Sequence, residues 1–326
     1  MPIEIKILII VISVIIGIFL IFVLPMLLVT FPIAKKLYKK DWIRSEEGTL
    51  FPRGCSAPEI DYHLDMFNQG MKWREDNISF MKEVQITSLG DKLFGEYFDF
   101  GFDRAIILLP GRAETCWYAS YYGEPFKKAG YNLLCIDPRA HGLSEGKVIT
   151  MGKLEGEDAI NWAKFLHDEH HIKNVCLYGL CGGGTAACVA LANENCPSYI
   201  DLFINDGMPY SFVRVFKLRT KHQGHMTFPV TQEFMYLVKK HSHINPYSLA
   251  PYKLIRKIKV PTLFMGGTLD FSAPPSDLKK LYDNSASNDK QIHVFDNCRH
   301  SHLRYDSKEE YDNLVISFLK NHNNSW

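Results

Sequence analysis

The sequence lacks the charge excess, the repeats and the cysteine spacing that would assign it to several broad classes of protein. Its 37 lysines and arginines are balanced by 36 aspartates and glutamates, so no global field favours a nucleic-acid partner. It has no internal repeat or low-complexity tract. The 326 residues suffice for one large domain or two small ones, and 13% aromatic residues indicates a substantial core.

The eight cysteines form no C-x-x-C pair, so neither a zinc ribbon nor a redox dithiol is indicated. Cys135 and Cys176 lie in apolar runs typical of buried strands, where reduced cysteine behaves as a small hydrophobic side chain. This usage favours a reducing compartment. Cys298, His300 and His302 alternate in a short loop, but no further cluster completes a metal site, and we expect neither a metal nor a cofactor.

One apolar run, from Ile7 to Ile33, carries no charged side chain. It is 27 residues long, whereas ~20 suffice to cross a bilayer. A cleaved signal peptide fits less well, because its apolar core would be roughly 7–15 residues and a small-residue cleavage site would follow. Lys6, offset by Glu4, precedes the run, and after it come Lys35, Lys36, Lys39, Lys40 and Arg44. The positive-inside rule predicts a single-pass anchor with a cytoplasmic C-terminal body, its lysines close to anionic lipid headgroups.

We expect three parts: an anchor with its basic flank over residues 1–40, a linker and peripheral helix over 41–80, and an α/β domain over 81–326. In the last part, apolar runs alternate with helix-sized segments after an initial hairpin, which predicts a mostly parallel eight-stranded sheet with helices on both faces. The expected strands are Val84–Thr87, Leu93–Phe100, Ala105–Leu109, Tyr131–Ile136, Val175–Tyr178, Leu202–Ile204, Thr262–Met265 and Ile292–Phe295. An aromatic-rich insertion over about 206–258 is interpreted as a lid over a pocket, with ordinary connecting helices as the alternative.

The stretch Gly179-Leu180-Cys181-Gly182-Gly183 lies between a predicted buried strand and a predicted helix of small residues. A G-x-C-x-G sequence at such a place is typical of a strained strand-to-helix elbow with the nucleophile at its tip. Gly179 and Gly183 would flank the tip without a Cβ, because the two backbones nearly touch. The backbone N–H of Gly182 would then point at the substrate and stabilise an oxyanion. A glycine-rich turn around a buried structural cysteine is the alternative interpretation.

A cysteine nucleophile needs a base, and the base needs an orienting acid. Asp270 lies in the loop after the strand expected at 262–265, and His300 lies in the loop after the last expected strand. Both loops would leave the carboxyl edge of the sheet beside the elbow, so the sequence predicts a Cys181–His300–Asp270 triad. The sequence also leaves open Asp206, which ends another strand, as the acid and His302 as the base.

From about residue 83 to residue 319 the chain resembles the α/β-hydrolase superfamily, and within it the serine-aminopeptidase-like and lysophospholipase-like branch. Besides the elbow, three motifs carry the resemblance. They are the loop Asp137-Pro138-Arg139-Ala140-His141-Gly142-Leu143-Ser144, similar to the D-x-R-G-H-G-x-S loop of that branch, the acid loop Gly267-x-x-Asp270, and the histidine turn Arg299-His300-Ser301. The N-terminal anchor resembles that of a group of bacterial anchored hydrolases.

The chain departs from this family at two positions. The H-G oxyanion motif is replaced by Pro110-Gly111-Arg112, and the resemblance implies that the backbone N–H of Arg112 or its neighbour is the second oxyanion donor. Cys181 stands where the family usually has serine. Residues 179–184 in this respect resemble the G-x-C-x-G-G boxes of dienelactone hydrolases and polyhydroxyalkanoate synthases, although the rest of the chain does not resemble a polyester synthase.

The resulting expectation is a membrane-anchored hydrolase that cleaves an ester, thioester or lactone through an acyl-enzyme intermediate. Its partners would be a small-molecule or lipid acyl substrate and, through the anchor, membrane lipid. Two alternatives remain: an acyltransferase that uses the same triad, and a catalytically inactive binding protein with this fold. Labelling of Cys181 with a thiol-directed electrophile separates the enzymes from the inactive protein.

Overall fold

The computed structural model describes residues 1–44, 50–51, 55–56, 61–112 and 114–323. Most of the linker expected after residue 41 lies outside these ranges. Within it, residues 50–51 and 55–56 form a short antiparallel pair of strands.

A single eight-stranded sheet forms the centre of the body, as the sequence predicts. We number its strands in chain order and give the spatial order as β8-β7-β6-β5-β3-β4-β2-β1. β1 pairs antiparallel with β2, β2 pairs antiparallel with β4, and the remaining neighbours are parallel. The bounds are β1 Met81–Ser88, β2 Asp91–Phe98, β3 Arg104–Leu109, β4 Asn132–Ile136, β5 Asn174–Leu180, β6 Ile200–Asp206, β7 Thr262–Gly267 and β8 Lys290–Phe295.

Helices cover both faces of the sheet, because the parallel strands are apolar on both sides. One core contains Phe126 and Tyr311. The other contains Trp162, Ala186 and Leu278. The helices that follow the N-terminal one are α3 Asp61–Asp76, α4 Cys116–Ala119, α5 Gly123–Lys128, α6 Lys153–His170, α7 Gly182–Leu191, α8 Phe212–His222, α9 Val230–Ser242, α10 Pro251–Leu254, α11 Pro275–Asn284, α12 Leu303–Asp306 and α13 Lys308–His322.

The N-terminal apolar run lies in one continuous helix from Ile3 to Trp42, long and apolar enough to cross a membrane. It consists of α1 (Ile3–Ile18), one π-helical segment (Phe19–Val23) and α2 (Leu24–Trp42). Pro25 occupies the first turn of α2, and Pro32 lies inside that helix. The irregular turn just before Pro25 is π-helical, a form that often accompanies a local disturbance of the helix.

The end of α2 is built into the body of the protein. Its buried residues pack into a third hydrophobic core with side chains of α8 and α9, which come from the segment interpreted as a lid. Beyond the helix, the backbone N–H of Ile149 donates to the carbonyl of Trp42 (2.7 Å), and Ile43 forms a β-bridge with Val148. Residues 41–44, which the sequence assigned to a linker, are therefore attached to the body. The residues of this third core are Ala34, Leu37, Tyr38, Trp42, Phe212, Phe216, Val230, Phe234, Met235, Leu237, Val238 and Leu249.

Candidate active site

Cys181 sits in the single-residue step between β5 and α7. Its backbone has φ 50° and ψ −112°, a strained conformation for any residue that carries a Cβ. A Cβ on Gly183 would lie 1.9 Å from the carbonyl oxygen of Leu109, and a Cβ on Gly179 would lie 2.5 Å from the Cα of Gly184. Both positions therefore require glycine, and the G-x-C-x-G spacing has the steric origin that the sequence indicates.

The acid and histidine loops are held against each other by their backbones. A Cβ on Gly267, at the end of β7, would lie 2.1 Å from the carbonyl oxygen of Cys298. The backbone N–H of Leu269 donates to that same oxygen at 3.0 Å. Because the glycine lets the loops after β7 and β8 meet, Asp270 and His300 are brought to the same point.

The structure places Asp270 and His300 in direct contact. The His300 Nδ1 lies 2.6 Å from Asp270 Oδ2. The other carboxylate oxygen, Oδ1, accepts hydrogen bonds from the backbone N–H groups of Ser272 (2.8 Å) and Ala273 (2.7 Å). The carboxylate is thus fixed and buried, and it fixes the imidazole in turn. This leaves Nε2 for Cys181, which lies close enough to the His300 ring for the charge of each group to act on the other.

The electrostatics of this site differ from those of the other described cysteines. Burial on its own would raise the pKa of Cys181, but the positive charge of His300 beside it outweighs burial and lowers the pKa. Burial likewise opposes the positive charge of His300, but the Cys181 and Asp270 charges raise its pKa well above the ordinary value. By contrast, burial raises the pKa of Cys196 and of Cys298 to about 11. The arrangement favours a thiolate–imidazolium pair at Cys181 and His300.

The structure also separates the alternatives that the sequence left open. Asp206 is buried and accepts hydrogen bonds from the hydroxyls of Tyr178 (2.7 Å) and Tyr311 (3.1 Å), away from the His300 nitrogen that Asp270 occupies. Burial raises the pKa of Asp206 to about 6. His302 binds the carbonyl oxygen of His300 through its Nδ1 and stacks on His63 with ring centroids 4.6 Å apart. Asp206 therefore does not take the place of Asp270 beside His300, and His302 does not take the place of His300 beside Cys181.

The two expected oxyanion donors lie beside each other. Gly182 is the first residue of α7, so its N–H belongs to the first turn, which has no partner within the helix. A Cβ on Gly182 would lie 3.9 Å from the backbone nitrogen of Arg112. The Arg112 side chain pairs with Asp41 at the end of α2, Nη1 to Oδ1 3.4 Å. The positive end of the α7 dipole points at the same place.

Two residues near the site were not predicted from the sequence. Glu114 accepts a hydrogen bond from the backbone N–H of Gly111 (2.7 Å), and burial raises its pKa to about 7. Its charge acts on both Cys181 and His300. Gly207 has φ 63°, and a Cβ there would lie 3.4 Å from His300 Nδ1, so this glycine packs against the His–Asp pair. An acid three residues after a glycine of the oxyanion loop was the available signal for Glu114, and nothing in the sequence marked Gly207.

The D-x-R-x-H-G-x-S loop is structural. Arg139 makes two hydrogen bonds to the Asp158 carboxylate (2.7 and 2.6 Å) and one to Asp91 (2.9 Å). His141 binds the carbonyl oxygen of Arg139 at 2.9 Å, and burial lowers its pKa to about 4. A cavity of about 40 Å³ lies between this loop and the elbow, but neither Cys181 nor His300 lines it. Within the described ranges, no cluster of three or more metal-binding side chains is arranged to hold a metal ion.

Known proteins share this architecture. The family model for serine aminopeptidases of the S33 type matches residues 102–204 and 252–307, on either side of α8 and α9. Uncharacterized protein YqkD of Bacillus subtilis is 26% identical over 225 residues, which cover 68% of this chain and 73% of YqkD. An esterase from Pyrococcus furiosus has 26% identity and a TM-score of 0.64, covering 76% of this chain and 93% of its own. An esterase from Exiguobacterium antarcticum, with 19% identity and a TM-score of 0.51 over 73% of this chain and 100% of its own, is similar in fold. The α/β-hydrolase fold expected from the sequence is confirmed.

Proposed function

We propose that this chain, a member of the α/β-hydrolase superfamily and an α/β-fold ester hydrolase, uses Cys181 as its nucleophile and acts on acyl substrates at a membrane surface. The observation that carries the proposal is the contact of His300 Nδ1 with Asp270 Oδ2 at 2.6 Å beside Cys181 at the elbow, where the charge of His300 lowers the pKa of the thiol. The substrates we propose are esters, thioesters or lactones with a small-molecule or lipid acyl group.

In the acylation step, His300 takes the thiol proton of Cys181 and Asp270 stabilises the resulting imidazolium. The thiolate sulfur attacks the carbonyl carbon, and the carbonyl oxygen becomes an oxyanion that accepts hydrogen bonds from the N–H groups of Gly182 and Arg112. The tetrahedral intermediate then expels the alcohol or thiol, which takes its proton from His300. The acyl group remains on Cys181 as a thioester.

In the deacylation step, water takes the place of the leaving group. His300 removes a proton from the water as its oxygen attacks the thioester carbonyl, and the same two N–H groups stabilise the second oxyanion. The intermediate collapses, the carbon–sulfur bond breaks, and Cys181 leaves as a thiolate that pairs again with protonated His300. The free acid is released.

The nucleophile itself narrows the substrate class. A thiolate leaves a tetrahedral intermediate more readily than an unprotonated amine does, so a cysteine nucleophile favours activated acyl compounds over amides. An alkoxide, a thiolate or an enolate competes better as the leaving group. We therefore propose activated acyl compounds as substrates, and exclude a peptidase activity from the proposal.

The membrane anchor and the orientation of the body are part of this proposal. The length and the apolar composition of the helix Ile3–Trp42 support an anchor. Within it, every residue from 7 to 22 other than Gly17 is exposed. Four exposed lysines follow the apolar run: Lys35, Lys36, Lys39 and Lys40. They favour a cytoplasmic body by the positive-inside rule.

The test is hydrolysis of p-nitrophenyl acyl esters of graded chain length by the full chain in detergent. We expect Cys181→Ala to lower kcat/KM by about a thousandfold or more, because no nucleophile remains. The matched control is Cys196→Ala, at a partly buried cysteine outside the site, which should leave kcat/KM within about twofold. Hydrolysis that survives Cys181→Ala unchanged would exclude this nucleophile.

A further inference from the structure

The helix α9 of the lid runs parallel to the helix α2 that continues the apolar run. The Thr30 hydroxyl of α2 donates to Glu233 Oε1 of α9 at 2.9 Å. Eight residues later on both helices, the rings of Tyr38 and His241 are 5.6 Å apart. Because the register is kept over this length, the N-terminal end of α9 points in the same direction as the N-terminal end of α2, which is toward the apolar span.

The contact with α9 begins inside the apolar run. The run is 27 residues long, about seven more than the ~20 that cross a hydrocarbon core. On one side of α2, Thr30 near the end of the run and Ala34 just after it are buried by the body. On the other side, Leu28 and Val29 remain 67% and 66% exposed. The lid and the exposed apolar side of α2 therefore lie at the same level along the helix.

Residues 223–229 form the loop that precedes α9, and this loop continues beyond that level toward the apolar span. α9 begins at Val230, three residues before Glu233 and hence about 4.5 Å closer to the apolar span. The loop before it exposes two large apolar side chains, Met226 and Phe228, each 61% exposed. Basic side chains precede them at Lys221, His222 and His225. Apolar side chains beside basic ones are the composition of segments that lie in a membrane interface.

The same loop begins directly after a residue that contacts the acid loop of the candidate active site. His222, the last residue of α8, stacks on Phe271 with ring centroids 3.9 Å apart. Phe271 follows Asp270 directly and is 43% exposed. Arg219, one turn earlier on α8, is near enough for its charge to act on the Cys181 thiol. The end of α8 therefore lies between the candidate nucleophile and the exposed apolar loop.

We propose that residues 223–229 and the first turn of α9 insert into the headgroup and upper acyl region of the bilayer, beside the anchor. This docking surface turns the mouth between α8 and the acid loop toward the lipid, so that an acyl chain can reach Cys181 from the membrane without crossing water. The inference rests on the anchor in the proposed function. It does not depend on the chemistry at Cys181.

The test places a tryptophan in the loop of the full chain, reconstituted in phosphatidylcholine–phosphatidylglycerol vesicles. Phe228→Trp is compared with the parent chain, with and without lipids brominated high in the acyl chain. The matched control is Tyr247→Trp, because Tyr247 has a similar exposure (55%) but lies beyond the opposite end of α9. We expect bromine to quench the added emission of Phe228→Trp about twofold or more and to leave that of Tyr247→Trp unchanged. Equal quenching of the two variants, or none in either, would overturn the proposal.

Two further measurements separate this inference from the proposed function. Release of the full chain from vesicles by alkaline carbonate would reject the anchor and the docking surface together. If no p-nitrophenyl ester is hydrolysed while Phe228→Trp is quenched, the chemistry fails and the docking surface stands. If the chain is active, Met226→Asp with Phe228→Asp should spare hydrolysis of a water-soluble short-chain ester and lower that of a long-chain ester dissolved in vesicles about tenfold. Equal activities on both esters would contradict access from the membrane.

Discussion

Asp41, in the last turn of α2, forms an ion pair with Arg112 of the oxyanion loop, Oδ1 to Nη1 3.4 Å. Both side chains are largely buried, with 22% and 15% of their surface exposed. Among the described residues, the buried Nε of Arg112 has no hydrogen-bond partner, so the contact with the carboxylate is made by the end of the guanidinium. The helix proposed to cross the membrane is thereby joined to the residue whose backbone N–H is proposed to bind the oxyanion.

Removing this charge should act on the chemical step through the position of the loop. For Asp41→Asn we expect kcat on a p-nitrophenyl ester to fall about tenfold with KM within about twofold, since an oxyanion contact strengthens only in the transition state. Asp41→Glu should restore most of kcat. The control is Asp103→Asn, which removes an exposed carboxylate paired with Lys173 at 3.2 Å and should change neither constant. An unchanged kcat in Asp41→Asn would show that the ion pair does not position the loop.

Glu114 should make stability depend on pH in a defined window. Its folded-state pKa of about 7 lies above the ordinary value of 4.5, mainly because it is buried. The folded state therefore favours the protonated carboxyl, and the contribution of Glu114 to the free energy of unfolding is fully present below pH 4.5. This contribution is lost as the pH rises from 4.5 to about 7. Glu114→Gln cannot ionise, so its melting temperature relative to the parent should rise between pH 4.5 and 7 and then stay constant. A melting-temperature difference between Glu114→Gln and the parent that does not vary with pH would contradict this. The control is Glu309→Gln at an exposed position, for which we expect no such pH-dependent difference.

Neighbouring glycines at the elbow should respond differently to one methyl group. In Gly183→Ala the new Cβ would meet the Leu109 carbonyl at 1.9 Å, so the backbones of β3 and α7 must separate. We expect this variant to lose several kcal/mol of unfolding free energy, about 3 or more. In Gly182→Ala the new Cβ lies 3.9 Å from the nearest atom and the residue is helical, so stability should stay within about 0.5 kcal/mol of the parent. Thermal unfolding in detergent measures both, and equal losses would refute the steric origin of the elbow.

Local patterns were sufficient to predict the sheet and the positions of Cys181, Asp270 and His300. Apolar runs bounded by turns predict strands, and the glycines around Cys181 leave few alternatives for the backbone. The sequence predicted Asp270 as the acid but left Asp206 open as an alternative, because both acids follow strands of the same sheet. It depends on Tyr178 and Tyr311, which hold Asp206 by its carboxylate.

The contacts of the N-terminal helix were missed because they join residues far apart in the chain. Ala34, Leu37 and Tyr38 have helical spacing, which predicts an apolar face. That face packs on α8 and α9, nearly two hundred residues later. Two further contacts also join distant parts of the chain: the ion pair of Asp41 with Arg112, and the position of Glu114 near Cys181. They were missed because the sequence does not show which partner a charged residue will meet in the fold.

The pH dependence of thiol labelling tests the central claim, that His300 holds Cys181 as a reactive thiolate. Cys181 and Cys196 are both partly exposed, but the pKa of Cys181 is lowered while that of Cys196 is raised to about 11. With iodoacetamide and site-resolved mass spectrometry, we expect Cys181 to label at a pH well below ~8.5, where a free thiol ionises, and Cys196 to remain unmodified there. In His300→Ala this advantage of Cys181 should disappear. If Cys181 labels no faster than Cys196, or labels equally fast in His300→Ala, the proposed nucleophile is wrong.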